Sequence, residues 1–378
     1  MPSPIIERIE IEGFTSIIAA SVGLRRLNVL VGANGAGKSN LVRVLEVLGR
    51  VVDEDLQVHV ARSGGAAALV NAGLTNRRIR IALPGHRFGL NRYIATLAPT
   101  PDGGLFFEDE QIGWPDPRSS GIWVRRSIGR GHFESQLHGL VAAGNAVEPL
   151  HTTAAELIEL LRGCRVYHFH DTSPSAPVKQ LASDADNLTL RPDAGNLAAV
   201  LYRLQTGDSG EQAAYRRIVG AVRQVAPFFR EFVLAPERQD QLRLRWKDHG
   251  ADAIFSAHQM SDGTLRFVCL ATLLLQPKLP ALIALDEPEL GMHPYAIVQL
   301  ADLLRQAATR SQVVIATQSV TLMNQFELDD LIVVERGAEG SSFVRPDADR
   351  LRGWLDDYSL GELWEKNLIG GRPGRADG

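Results

Sequence analysis

Cysteine is scarce in this chain: two residues in 378, Cys164 and Cys269. Two thiols make neither a disulfide framework nor a metal site of several thiolates, so a reducing, cytoplasmic setting is expected. Long apolar runs are also lacking. The best of them, 267–275, falls far short of the roughly 18 residues of a membrane span. The opening MPSPIIERIEIEGF carries acid where a secretory leader carries base and then an apolar run. No membrane partner is therefore expected. Nor is there an excess of one charge. Forty basic and 44 acidic side chains leave −4, which excludes a globally basic binder but leaves room for a local basic patch. No heptad pattern persists, so no coiled-coil arm is expected. Lysine is rare as well, five against 35 arginines. That bias makes a well-placed lysine informative.

What is present is enough to fold. Hydrophobic residues make up 45% of the chain and charged residues 22%, which supports a large buried core. The length fits two domains, or one large α/β unit with insertions. Alternation predicts a strand over 5–11, and the apolar run LNVLV predicts a buried strand over 27–31. Leu41, Val44, Leu45 and Leu48, three and four apart, predict an amphipathic helix over 40–48. From 51 to 133, short β-like runs broken by Pro-Gly, Asp-Gly-Gly and Trp-Pro-Asp-Pro predict an antiparallel meander. Helices are expected over 152–161, 196–205 and 211–225. Strands are expected over 166–170, 232–234 and 242–246, with a loop over 171–193. The last third alternates cleanly: helix 262–275, strand 281–285, helix 294–308, strand 312–316, strand 331–335. Such alternation implies a parallel sheet. The tail 370–378 is expected to be disordered.

The strongest signal is Gly32-Ala-Asn34-Gly35-Ala36-Gly37-Lys38-Ser39. It fits G-x-x-x-x-G-K-[ST], and about 0.005 accidental matches are expected in a chain of this size. An apolar strand precedes it and a helix follows. Glycines let successive N–H groups curl around phosphates, and the helix N-terminus adds its dipole. Lys38 is placed to reach the β- and γ-phosphates of ATP, and the Ser39 hydroxyl to bind Mg²⁺. Downstream, Ala281-Leu-Ile-Ala-Leu-Asp286-Glu287-Pro288 delivers two carboxylates to a strand end. Asp286 suits the Mg²⁺, directly or through water, and Glu287 suits the general base for the attacking water. Lys38 and Asp286 are 248 residues apart, so a large insertion is expected inside the nucleotide fold.

These motifs resemble ABC-type ATPase heads of the RecF/SMC-like branch. Val31 to Leu41 matches the way such proteins begin. Met260-Ser261-Asp262-Gly263-Thr264 resembles the branch's signature motif, and Leu285 to Pro294 its acidic strand and following loop. Tyr167-His-Phe-His-Asp171-Thr-Ser-Pro and Tyr358-Ser-Leu-Gly-Glu-Leu-Trp364 resemble hallmarks of a stand-alone RecF-like bacterial group. The resemblance implies an α/β P-loop NTPase of ABC-head type, with a mixed central sheet, an antiparallel meander and a helical insertion. It divides the chain into 1–134, 135–235 (the insertion) and 236–378. It implies ATP and Mg²⁺ as ligands, with Gly32, Asn34 through Asn40, Ser261 and Gly263 binding nucleotide. It also implies a head-to-tail, ATP-dependent homodimer, in which Ser261 and Gly263 of one copy meet the γ-phosphate held by Lys38 of the other. Two departures stand out. Gln318 occupies the place of the switch histidine, where it cannot take up a proton, so hydrolysis is slow or Gln318 positions water. The usual Q-loop glutamine is missing, and His170 or Asp171 is its nearest equivalent.

For partners, 75–130 holds nine arginines and five acidic residues. Arg77, Arg78, Arg80, Arg87, Arg92, Arg125, Arg126 and Arg130 are candidates for a face that meets a phosphate backbone. Three roles follow: an ATPase acting on DNA in repair or chromosome maintenance; a regulatory or anti-phage defence ATPase controlling a protein effector; and, least supported, a transporter subunit.

Overall fold

The computed structural model describes residues 5–85, 91–116, 122–142, 149–236, 240–355 and 357–371. Arg87 and the tail beyond 371 lie outside them. In chain order the elements are β1 (Arg8–Phe14), β2 (Ile17–Gly23), β3 (Leu27–Val31), α1 (Lys38–Asp53), α2 (Leu56–Arg62), β4 (Ile79–Leu83), β5 (Arg92–Pro99), β6 (Leu105–Pro115) and β7 (Trp123–Gly129). Then come α3 (Leu137–Ala142), α4 (Leu150–Arg162), β8 (Cys164–Tyr167), β9 (Ala182–Ser183), α5 (Leu197–Thr206), α6 (Ser209–Val225), β10 (Phe229–Phe232), β11 (Gln241–Leu242), β12 (Arg245–Asp248) and β13 (Ile254–Ser256). The chain finishes with α7 (Asp262–Leu275), β14 (Leu282–Asp286), α8 (Pro294–Ala308), β15 (Gln312–Thr317), α9 (Val320–Met323), β16 (Leu331–Gly337), β17 (Gly340–Val344), α10 (Ala348–Leu355) and α11 (Leu360–Glu365).

The central sheet has the order β17-β16-β3-β15-β14-β8. All neighbours in it run parallel except the β16–β17 hairpin. Its inner strands β3, β15 and β14 are buried along nearly their whole length because both faces are covered. The period of two then sorts side chains by face. Val29, Val31, Ile283, Leu285, Val313 and Ile315 join one core with α5, α6, α7 and α8. Leu30, Leu282, Ala284, Val314 and Ala316 join the other, with α1 and α4. On the far side of α1 lies the antiparallel sheet β2-β1-β4-β5-β6-β7. Ile9, Ile11, Ile81, Tyr93 and Phe107 face the α1 stripe from it. The fold is therefore layered: antiparallel sheet, α1 with α4, mixed central sheet, helices.

Several local expectations shift. The meander is present as β4 to β7, but it begins at 79 rather than 51. Val51 and Val52 continue the apolar stripe of α1, and α2 follows. The strand expected at 232–234 lies at 229–232, and that at 242–246 divides into β11 and β12. The segment 135–235, expected as a helical insertion, carries α3 to α6 together with β8, β9 and β10, and β8 pairs in parallel with β14 inside the central sheet.

Candidate nucleotide site

Four adjacent parallel strands, β3, β15, β14 and β8, end at one edge of the sheet. The register aligns Val31 with Thr317, Ala316 with Asp286, and Leu285 with Tyr167. The phosphate loop, Gln318, Asp286-Glu287 and His170 therefore leave the sheet side by side. Ligands of parallel sheets bind at such carboxyl ends. This convergence joins residues that are 248 positions apart in the chain.

The phosphate loop is fixed from below by its neighbours. A Cβ on Gly32 would lie 2.2 Å from the Val334 carbonyl oxygen, so no other residue passes so close to β16. Gly37 has φ 118°, and a Cβ there would lie 2.3 Å from Ser341 Oγ. That hydroxyl donates to the Ala36 carbonyl at 2.6 Å and also meets Ser16 Oγ at 2.6 Å. Asn40 Nδ2 donates to Ser16 Oγ at 2.7 Å. Ser16, between β1 and β2, and Ser341, on β17, thus brace the loop. Nothing in the local sequence marks either.

Lys38 is 5% exposed. Its ammonium donates to the carbonyls of Gly32 at 2.8 Å and Ala33 at 3.0 Å. Burial holds its pKa below the ordinary lysine value, while Glu287, Asp286 and Glu289 pull it upward. The cation thus sits within the field of the acidic strand end. Ser39 and Asn34 are exposed at the loop's outer side. α1 starts at Gly37 with no side-chain cap, which leaves its first N–H groups for an anion.

On the acidic side, Asp286 Oδ1 is buried without a hydrogen-bond partner. An orphaned carboxylate oxygen is costly unless a ligand completes it. This carboxylate oxygen and the Ser39 hydroxyl are hard-oxygen donors of the kind that suits Mg²⁺. Glu287 has φ 44°, an uncommon region for a side-chain-bearing residue, and such strain clusters at functional sites. Its backbone N–H donates to the Ala316 carbonyl at 2.7 Å. Gln318 Nε2 donates to Glu287 Oε1, so Gln318 holds the carboxylate. Glu289 is 8% exposed and accepts a hydrogen bond from Thr317 Oγ1. Burial pushes its pKa up, with the charge of Glu287 adding to the shift.

His170 Nε2 lies 2.7 Å from the Asp286 carbonyl oxygen, which ties β8's end to the acidic strand. Asp171 is exposed, and its carboxylate accepts from the Ser173 N–H at 2.9 Å within its own turn. Ser261 caps α7, accepting from the Thr264 N–H at 3.3 Å, and is exposed. α7 runs away from the phosphate edge and β14 runs back to it, so Ser261 and Gly263 lie at the same edge as Asp286. The arginine face is partly neutralised within the antiparallel sheet. Arg78 pairs with Glu108, Arg80 with Glu12 at 3.0 Å, and Arg130 with Asp109 at 3.2 Å. Arg92 lies 4.1 Å over the Trp123 ring. Arg77, Arg125 and Arg126 are exposed.

This fold and loop define a protein of P-loop ATPase fold. Solved SMC heads share its architecture. An SMC head bound to the C-terminal winged-helix domain of ScpA superposes with a TM-score of 0.53 at 16% identity, over 96% of this chain and 100% of that one. An SMC head with an extended coiled coil, bound to the C-terminal domain of ScpA from Pyrococcus furiosus, gives 0.54 at 15%, over 94% and 99%. An SMC head with coiled coil and joint from Pyrococcus yayanosii gives 0.50 at 14%, over 94% and 99%. Residues 27–324 match the family described as "AAA domain, putative AbiEii toxin, Type IV TA system", and the chain belongs to that family. No curated protein matches the sequence. Among the described residues no helix is long and apolar enough to cross a membrane.

Proposed function

We propose that the protein is an ATP-hydrolysing head of the RecF-like kind that dimerises head-to-tail when it holds ATP. The observation that carries this reading is the meeting of Lys38, Asp286, Glu287 and Gln318 at one sheet edge, with Ser261 exposed along the same edge. When ATP enters, Lys38 moves its ammonium from the Gly32 and Ala33 carbonyls to the β- and γ-phosphates. The loop N–H groups and the start of α1 hold the remaining oxygens. Mg²⁺ held by the Asp286 carboxylate and the Ser39 hydroxyl would neutralise phosphate charge. Glu287, held by Gln318, takes the proton of the water that attacks the γ-phosphorus, and ADP leaves. Ser261 and the Gly263 N–H of a second copy meet the γ-phosphate from the open side, with the positive end of α7 behind them.

The experiment is mass measurement of Glu287→Gln with ATP and Mg²⁺, with and without duplex DNA. Binding survives and water activation is lost, so a stable species of twice the monomer mass is expected. A monomer at saturating ATP refutes the dimer. DNA is the first partner to test, through the exposed Arg125 and Arg126. Charge reversal there weakens DNA binding and flattens its salt dependence if that face meets a phosphate backbone. The family's toxin–antitoxin description favours a second reading, in which the dimer controls a protein effector. DNA binding unchanged by the reversal removes the first reading.

A further inference from the structure

The site described above has two halves: the phosphate edge that holds a copy's own nucleotide, and the Ser261–Gly263 surface that meets another copy's. Arg266 lies between them, in the second turn of α7. Its guanidinium spans two loops. Nε donates to the Phe169 carbonyl at 3.2 Å, Nη2 to the His170 carbonyl at 2.9 Å and Nη1 to the Leu290 carbonyl at 2.7 Å. Nη2 also lies 3.4 Å from Thr172 Oγ1. Phe169 to Thr172 follow β8, and Leu290 follows the Asp286-Glu287 strand end. His170 in turn touches the Asp286 carbonyl at 2.7 Å. A continuous path of hydrogen bonds therefore runs from Asp286 through His170 and Arg266 to the helix turn that carries Gly263.

The surroundings are built for this fork. A Cβ on Gly291 would lie 2.6 Å from Arg266 Nη1, so only glycine there lets the guanidinium reach the Leu290 carbonyl. A Cβ on Gly263 would lie 2.5 Å from the Gly291 carbonyl oxygen, which keeps the start of α7 pressed on the same loop. The Tyr167-to-Pro174 motif holds the helix start elsewhere too. Lys179 Nζ donates to the Thr172 carbonyl and lies 3.9 Å from Asp262 Oδ1. His258 Nε2 lies 3.2 Å from the Pro174 carbonyl. Only arginine offers planar donors enough to hold three carbonyls from two loops at once; lysine offers a point charge.

We infer that Arg266 is a positioning residue that couples nucleotide at a copy's own phosphate edge to the set of its Ser261–Gly263 surface. It touches no substrate, and it acts through His170 and Leu290. The inference deepens the dimer reading and rests on it for its consequence, while the coupling itself is measurable in one copy.

Hydrogen exchange on the full-length protein tests it, at a concentration too low for dimers, with and without ATP and Mg²⁺. Wild type is expected to gain protection over 32–40 and also over 169–172 and 261–266. Arg266→Met and Arg266→Lys are expected to keep the first and lose the response at 261–266. In steady-state assays both variants are expected to hold KM within about threefold while kcat falls about 100-fold, the scale of an ångström-level misplacement. Arg266→Lys keeps the charge and the aliphatic stem, so it serves as the folded control. The inference is overturned if wild-type 261–266 ignores ATP, if either variant keeps the response there, or if KM and the 32–40 protection are lost along with kcat. The dimer reading fails separately, on the mass of Glu287→Gln.

Discussion

Lys38→Met puts a number on the phosphate loop. The Lys38 ammonium makes two charge-assisted hydrogen bonds, to the Gly32 and Ala33 carbonyls. A charge-assisted bond contributes about 1.5–3 kcal/mol. Two such bonds to phosphate oxygens give about 3–6 kcal/mol, but wild type must first release the two loop carbonyls. The net share of Lys38 in ATP affinity is then about 1.5–3 kcal/mol, which is about 10- to 150-fold in Kd. The variant is expected to fold, because methionine keeps the unbranched apolar stem that fills the buried Lys38 position. Calorimetric titration with a slowly hydrolysed ATP analogue and Mg²⁺ measures the ratio, and circular dichroism confirms the fold. A folded variant with affinity within threefold of wild type refutes the reasoning, because the loop would then not hold the triphosphate.

Two further outcomes follow from the same contacts. Ser341→Ala removes the donor to the Ala36 carbonyl at 2.6 Å and loosens Ser16; urea unfolding should show a loss of about 1–2 kcal/mol, with ATP affinity reduced several-fold. Glu46, on α1, is 18% exposed at its side chain and lies near His168, His59 and Arg50. Burial alone would raise its pKa, but the His168 imidazole, 3.8 Å from the carboxylate, with the charges of His59 and Arg50, overrides burial and lowers it to about 2. Because the folded value is depressed, the stabilisation is complete above pH 4.5 and is lost as pH falls toward 2. Holding the carboxylate that far below its ordinary range corresponds to roughly 3 kcal/mol. Wild type should therefore lose its stability advantage over Glu46→Gln across that window in denaturant titrations, and a constant gap would remove the Glu46 account.

Much of this protein was written in local pattern. The loop from Gly32 to Ser39, the apolar strand delivering Asp286 and the α/β alternation after 262 are short-range signals, since strand and helix periodicity and glycine permissiveness act within a few residues. Even Gln318, read as a departure, could be placed from its strand. Tertiary structure decided which strands became neighbours. Only the order β3-β15-β14-β8 sets Lys38 in the field of Asp286 and lets Gln318 grip Glu287. The ion pairs of Arg78, Arg80 and Arg130 needed cross-strand register, which a count of arginines does not contain. Ser16, Ser341 and Arg266 escaped the sequence reading for the same reason: a serine hydroxyl or a guanidinium carries no positional signature until distant backbone carbonyls arrive within hydrogen-bond reach. Local chemistry named the parts of the site, and long-range strand pairing determined what they touch.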